Sequence, residues 1–315
     1  MKTKLFLISQ LPISNFPVYR QASNLRSLKQ IIFFLSLFFM VSSLSAQEIV
    51  HIWPGKVPGE TKEKAEAVAT KNEEGVLTRV SEVTDPLFTV HRPSPANDKK
   101  AGVIICPGGG YHILAIEKEG YEVADWLKSL GYTAFVLQYR VPQKQEGALM
   151  DIQRTIRMIR ANAANYGIEA DRLGVLGFSA GGSLAARAST LYDKKMYEPV
   201  DDADNESARP DFALLIYAAY LDKGKNKSLT PELEVNENTP PIFLFATADD
   251  KHTSSSLAMS RALRDAGVPV ELHILPFGKH GYGLRSGNIA ATTWPLLAEI
   301  WLGRFVGYTQ QKKLD

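Results

Sequence analysis

Ser179 stands in Gly177-Phe178-Ser179-Ala180-Gly181, with a glycine two residues before it and another two residues after. The apolar run Leu173-Gly174-Val175-Leu176 leads into it, and Gly182-Ser183-Leu184-Ala185-Ala186 continues as a helical pattern. A strand, a sharp turn carrying serine between small residues and then a helix is the setting of a nucleophile elbow. Glycines on both sides let backbones approach where such a turn is strained. A serine at a helix start can equally be a cap. What separates the two readings is company: a hydroxyl does not ionise at neutral pH, so nucleophilic chemistry requires a base and a carboxylate to orient that base.

The chain has six histidines, and His280 lies in Gly278-Lys279-His280-Gly281-Tyr282-Gly283, a glycine-flanked loop after the last strand-like run. That is where a base following serine and acid in chain order belongs. His273 falls inside an alternating strand pattern and reads as structural. For the acid, Thr247-Ala248-Asp249-Asp250 follows the run at 242–246. Counting three residues from Thr247 selects Asp250, with adjacent Asp249 as its competitor, left to orient the loop or face solvent.

An anion site completes the set. Cys106-Pro107-Gly108-Gly109-Gly110-Tyr111 directly follows a strand-like run and matches an HGGG-type oxyanion loop with proline at the histidine position. Gly109, Gly110 and the N–H of Ala180 are the expected donors, since glycines let N–H groups converge without Cβ interference. A phosphate loop is excluded by the missing Lys-Ser/Thr and by the spacing. No His-x-x-x-His occurs, and neither metal nor cofactor is implied.

These groups must be held by a frame. Strand-like runs fall at 87–91, 102–106, 133–138, 173–176, 212–217, 242–246 and 270–275. Between them, 119–130 places Val123, Trp126, Leu127 and Leu130 on one helical face, and 148–165 does the same with Leu149, Ile152, Ile156 and Ile159. Further helices are expected at 254–266 and 289–305. The alternation predicts an α/β fold with a mostly parallel central sheet and helices on both faces. Residues 47–86, polar and broken by proline and glycine, read as a wrapping arm. Two long polar connections, 192–210 and 221–239, lack the apolar pattern of a lid and predict an open cleft suited to polar substrates.

Of the 315 residues, 1–46 read as a signal peptide and 47–315 as one catalytic domain. Basic residues with no acidic one precede the apolar run at 31–41, and Ser42-Ser43-Leu44-Ser45-Ala46 follows. That run is shorter than the roughly 20 residues that span a bilayer. The expectation is export to the periplasm or beyond, with no stable membrane association after cleavage. A net charge of +2 offers no argument for nucleic acid. Cys106, the only cysteine, reads as a buried structural thiol.

On these motifs the chain resembles the bacterial carbohydrate acetyl esterases, or acetyl xylan esterases, of the feruloyl-esterase-like branch of the α/β-hydrolases. The resemblance is carried by Trp53-Pro54-Gly55-Lys56-Val57-Pro58-Gly59, Pro107 to Tyr111, Glu119-Gly120, Tyr139-Arg140, Gly177 to Gly182 and Arg209-Pro210-Asp211-Phe212. It implies an α/β-hydrolase fold, a Ser179, Asp250, His280 triad and an acetylated carbohydrate substrate. Feruloyl or general short-chain esters, a peptidase of prolyl-oligopeptidase type and an inactive binding module are the competing readings. Tyr111, His112 and Tyr220 are the expected substrate-binding residues, placed to line the rim. The chain departs from the family at Thr253-Ser254, Lys279 and Ala218-Ala219, which touch the acid loop, the base loop and the rim.

Overall fold

The computed structural model describes residues 47–311, with side chains as far as Phe305. The expected leader at 1–46 lies outside the described residues. The described residues form ten strands: β1 Glu48–His51, β2 Val68–Lys71, β3 Leu77–Ser81, β4 Leu87–His91, β5 Gly102–Cys106, β6 Thr133–Gln138, β7 Leu173–Phe178, β8 Ala213–Ile216, β9 Ile242–Thr247 and β10 Val270–Leu275. The helices are α1 Glu122–Leu130, α2 Gln145–Ala161, α3 Ala180–Thr190, α4 Thr253–Asp265 and α5 Ile289–Gln311.

Eight strands join in the order β1-β4-β6-β5-β7-β8-β9-β10. From β6 to β10 every pairing is parallel, while β1 and β4 close one edge antiparallel. Every residue of β5, β7, β8 and β9 is buried. Since successive side chains point to opposite faces, both faces of the sheet are covered, which is why these strands read as continuous apolar runs. In α1, Val123 and Leu127 are buried and Asp125 is exposed, and Trp126 meets Trp294 of α5 edge to face at 5.0 Å. Gly131 ends that helix at φ 97°, its N–H returning to the Leu127 and Lys128 carbonyls.

The segment expected as a wrapping arm contains three strands. β1 adds to the sheet edge, and β2 and β3 pair antiparallel as a separate hairpin. Neither of the hairpin strands has the alternation that marks a half-buried strand, and β2 is exposed throughout. The hairpin is fixed by Val80, 3% exposed, whose backbone exchanges two hydrogen bonds with Leu114 at 3.1 and 2.8 Å. The rest of the arm is anchored by buried Trp53, whose indole donates to Asp151 at 2.8 Å. Asp151 also pairs with buried Arg140, and the Arg140 guanidinium reaches back to the Pro58 carbonyl. A buried pair of this kind is costly to break on one side, because the remaining charge has no partner.

Candidate functional site

The carboxyl ends of the parallel strands converge on one place, as is usual for ligand sites in open α/β sheets. β7 ends directly at Ser179, which has φ 51° and ψ −115° while its neighbours start α3. A non-glycine residue at positive φ is a stored strain, held only where surrounding structure over-determines it. The holding is visible in the glycines. A Cβ at Gly177 would lie 2.1 Å from the Gly181 carbonyl oxygen, and one at Gly181 would lie 2.0 Å from the Cys106 carbonyl oxygen. The elbow closes because neither residue has a side chain.

Ser179 Oγ is 2.8 Å from His280 Nε2, and His280 Nδ1 is 2.6 Å from Asp250 Oδ2. The Asp250 side chain is 1% exposed and that of His280 is 29% exposed, so the pair runs from the interior to the cleft. The second Asp250 oxygen accepts the His252 N–H at 3.0 Å, which fixes the carboxylate plane. Asp249 does something else. Its two oxygens accept the Lys279 and Gly278 N–H groups at 2.8 and 3.3 Å, holding the backbone that carries His280. The adjacent carboxylates therefore divide the work, one on the imidazole and one on its loop.

The glycine loop lies against the elbow: a Cβ at Gly108 would stand 2.9 Å from Ser179 Cβ. Gly109 has φ 137°, and a Cβ there would meet the Ile113 carbonyl oxygen at 2.0 Å. Among the described residues, the N–H groups of Gly109, Gly110 and Ala180 donate to no protein acceptor. Ala180 is the first residue of α3, whose opening N–H groups have no partner within the helix. Unpaired donors beside a serine suit an oxygen that becomes negative.

Sequence reasoning missed the group that ties these parts together. Glu119, 3% exposed, accepts the Gly108 N–H at 2.8 Å and the Tyr217 hydroxyl at 2.9 Å. The Tyr217 oxygen in turn accepts the Gly283 N–H at 3.1 Å. One buried carboxylate thus links the glycine loop, the end of β8 and the base loop. Burial and then the Glu119 charge hold the Tyr217 hydroxyl well above its ordinary range, so it stays protonated and donating. No sequence spacing marks this role; Glu119 sits inside an expected helix, and its one signal in the sequence is that Glu119-Gly120 is among the stretches that carry the family resemblance.

A cleft of about 480 Å³ opens beside Ser179 and His280, walled by Thr70, Thr78 and Arg79 of the hairpin and by Lys118 and Arg285. The long polar connections, read from the sequence as lacking a lid, contribute no residue to its lining. The first is tied to α2, with Asp204 on Arg154 at 3.0 Å and Tyr197 against Trp53. Tyr111, expected at the rim, is instead 2% exposed and stacked against Tyr220, and presents no ring there. His112 is exposed, and the Tyr220 hydroxyl stands 3.8 Å from where a Gly110 Cβ would be. His252 is a further neighbour missed in the sequence, its ring 5.0 Å from that of His280 and 5.7 Å from Tyr220. Burial and then the adjacent His280 hold its pKa below the ordinary histidine value. A neutral His252 does not oppose a proton arriving on His280. Among the described residues, no group of three or more His, Cys, Asp or Glu side chains could hold a metal ion.

A BD-FAE family model matches residues 88–216. The chain is 29% identical over 215 residues to the acetylxylan esterase of Xylanibacter ruminicola, covering 60% of this chain and 42% of that protein. It is 30% identical over 209 residues to endo-1,4-beta-xylanase B of Butyrivibrio fibrisolvens, covering 58% of this chain and 32% of the other. The chain thus spans less than half the length of these two relatives. Over 81% of this chain and 95% of the other, it matches the crystal structure of the acetyl ester-xyloside bifunctional hydrolase from Caldicellulosiruptor lactoaceticus, at 30% identity and a TM-score of 0.67. The chain belongs to the acetyl xylan esterase-like α/β-hydrolases. In this α/β-hydrolase the BD-FAE match runs from β4 to the end of β8 and includes the glycine loop, Glu119 and the elbow. Asp250 and His280 lie beyond the matched residues, on loops placed by β9 and β10.

Proposed function

We propose that the protein is an exported serine carboxylesterase that removes acetyl groups from xylan-type poly- or oligosaccharide through an acyl-Ser179 intermediate. The observation that carries this reading is the Ser179–His280–Asp250 alignment at 2.8 and 2.6 Å beside three unpaired amide donors. Ser179 Oγ attacks the ester carbonyl carbon while His280 Nε2 takes the hydroxyl proton. Asp250 holds the Nδ1–H and so keeps Nε2 free as the acceptor. The carbonyl oxygen, now negative, lies at the N–H groups of Gly109, Gly110 and Ala180. Collapse breaks the bond to the sugar oxygen, which leaves with the proton from His280. Water, deprotonated by the same imidazole, then attacks the acyl carbon, and acetate and free Ser179 result. The acetylxylan esterase relative and the polar side chains Thr70, Thr78, Arg79, Lys118 and Arg285 on the cleft wall support a carbohydrate acetate as substrate. The basic, apolar and small-residue order of the leader supports export.

Acyl length should follow from the walls. Each CH₂ buried against apolar surface contributes about 0.8 kcal/mol, but beyond Ile113 and Ala115 the cleft is lined by glycines and by polar or charged groups such as Thr70, Thr78, Arg79, Lys118 and Arg285, enough apolar surface for a short acyl group and not for a long one. A panel of p-nitrophenyl esters together with an acetylated xylo-oligosaccharide should show the highest kcat/KM on acetyl esters. The value should fall steeply by hexanoyl to octanoyl, and the sugar acetate should be preferred over p-nitrophenyl acetate. Equal rates on a decanoyl ester would refute the acetyl assignment. A sugar acetate no better than p-nitrophenyl acetate would leave a general short-chain esterase.

The Glu119 link has its own expected result. Glu119→Ala leaves the Gly108 N–H and Tyr217 O–H without acceptors and frees the glycine loop. Its kcat on p-nitrophenyl acetate should fall by about 10²-fold, the scale of losing one oxyanion donor. Glu119→Gln keeps an acceptor for Gly108 and should retain more. Thermal melts of both variants separate this from unfolding. A folded Ala variant with wild-type kcat would contradict the role.

A further inference from the structure

Among the described residues, the charges facing the cleft are all engaged except one. Arg285 pairs with Glu117 at 3.0 Å and with Glu122 at 2.9 Å, which uses the Glu117 carboxylate. Lys118 donates to the Gly281 carbonyl at 2.7 Å and lies 3.9 Å from Glu119. Glu119 is taken by Gly108 and Tyr217. Arg79, exposed on β3 in the same cleft, has no hydrogen bond or ion pair from its guanidinium among the described residues.

Its placement is not that of a loose surface arginine. Val80, the next residue, is buried and bonded in both directions to the Leu114 backbone, and Leu114 follows the glycine loop by four residues. On the other side Arg79 is opposite Thr70 in the hairpin, and the Thr78 hydroxyl donates to the Thr70 carbonyl at 3.0 Å. The backbone carrying the guanidinium is therefore fixed relative to Gly109 and Gly110. An acetyl group fills a small part of a cleft of about 480 Å³, so the remainder is available to the alcohol side of the ester.

We propose that Arg79 forms a subsite for a carboxylate carried by the sugar chain, so that the favoured substrate is an acetylated oligosaccharide bearing a uronic acid close to the ester. This rests on the carbohydrate esterase reading above. The planar guanidinium matches a carboxylate with two parallel N–H bonds. The backbone of β3 sets its distance from Ser179, so the subsite selects where along the chain the acid stands relative to the acetyl group.

The test compares three substrates: a neutral acetylated xylo-oligosaccharide, the same chain carrying a glucuronic acid, and p-nitrophenyl acetate. The wild type should favour the acidic chain over the neutral one by about tenfold in kcat/KM, mostly through KM, with the preference shrinking as salt is added. In Arg79→Gln the ratio of acidic to neutral kcat/KM should fall to near one, and Arg79→Lys should restore part of it. A wild-type ratio near one, or a ratio unchanged in Arg79→Gln, overturns the subsite while leaving the esterase reading in place. A chain carrying sulfate in place of the uronate that is preferred over it overturns the carboxylate assignment. Turnover of p-nitrophenyl acetate with neither sugar acetate hydrolysed overturns the carbohydrate reading, and the subsite with it.

Discussion

Replacing Ser179 by alanine should reduce kcat on p-nitrophenyl acetate by about 10⁴- to 10⁶-fold, the range seen when a nucleophile that acts as a unit with its base is removed. The fold should survive the change. Among the described residues the Ser179 hydroxyl bonds only to His280, whereas the turn is held by close approaches at Gly177 and Gly181 and by the Ser179 backbone, whose N–H reaches Ile216 and whose carbonyl accepts from Ala219 and Ser183. Alanine keeps that backbone and loses only the reacting oxygen. Rate measurements paired with thermal melts check the result. Near-normal turnover by a folded Ser179→Ala protein would remove the serine from the mechanism.

The second large effect concerns two adjacent carboxylates that differ in what they face. Asp250→Asn should lower kcat by up to about 10⁴-fold, because an amide N–H turned toward Nδ1 stabilises the tautomer with its proton on Nε2, which cannot accept from serine. Asp249→Asn should do far less. Its amide oxygen can still accept the Lys279 N–H, and Thr247 Oγ1 and Asn288 hold the same loop through the Lys279 and Gly278 carbonyls at 2.8 Å each. Parallel kinetics on the two variants decide the matter. A reversed order of effects would move the orienting role to Asp249 and contradict the 2.6 Å contact seen at Asp250.

The sheet was legible because its central strands are buried on both faces, so β5 and β6 stand within the bounds their apolar runs predict, and the partly buried edge strand β10 keeps its predicted bounds as well. β7 runs two residues further than its apolar run, through Gly177 and Phe178, delivering Ser179 directly from the sheet. Ser179, His280 and Asp250 were legible for a related reason: each sits just past a strand, in a short context of small residues that only a constrained turn requires. What escaped was whatever depends on pairing across distance. The β2–β3 hairpin buries a single residue, Val80, so no periodicity betrays it, yet it supplies a wall of the cleft. Glu119 looks like any acidic residue near a helix start until Gly108 and Tyr217 are brought to it from other elements. Tyr111 follows the glycine loop and was expected at the rim, but its ring turns inward, edge to face with Tyr139 at 6.1 Å and stacked with Tyr220. In the polar connection at 192–210, Asp201 and Asp204 face Arg154 of α2 and the Tyr197 hydroxyl accepts from Arg157, so these groups answer to the helix rather than to a substrate.

The claim on which the rest depends is that Ser179 forms the covalent bond. Treating the protein with a p-nitrophenyl phosphonate ester, which mimics the tetrahedral acyl-transfer species and leaves a stable adduct, reads that bond directly by peptide mass spectrometry. A single adduct is expected on the peptide containing Ser179, rising in proportion to the activity lost, with no adduct in Ser179→Ala. Complete loss of activity with the label on another residue would contradict it.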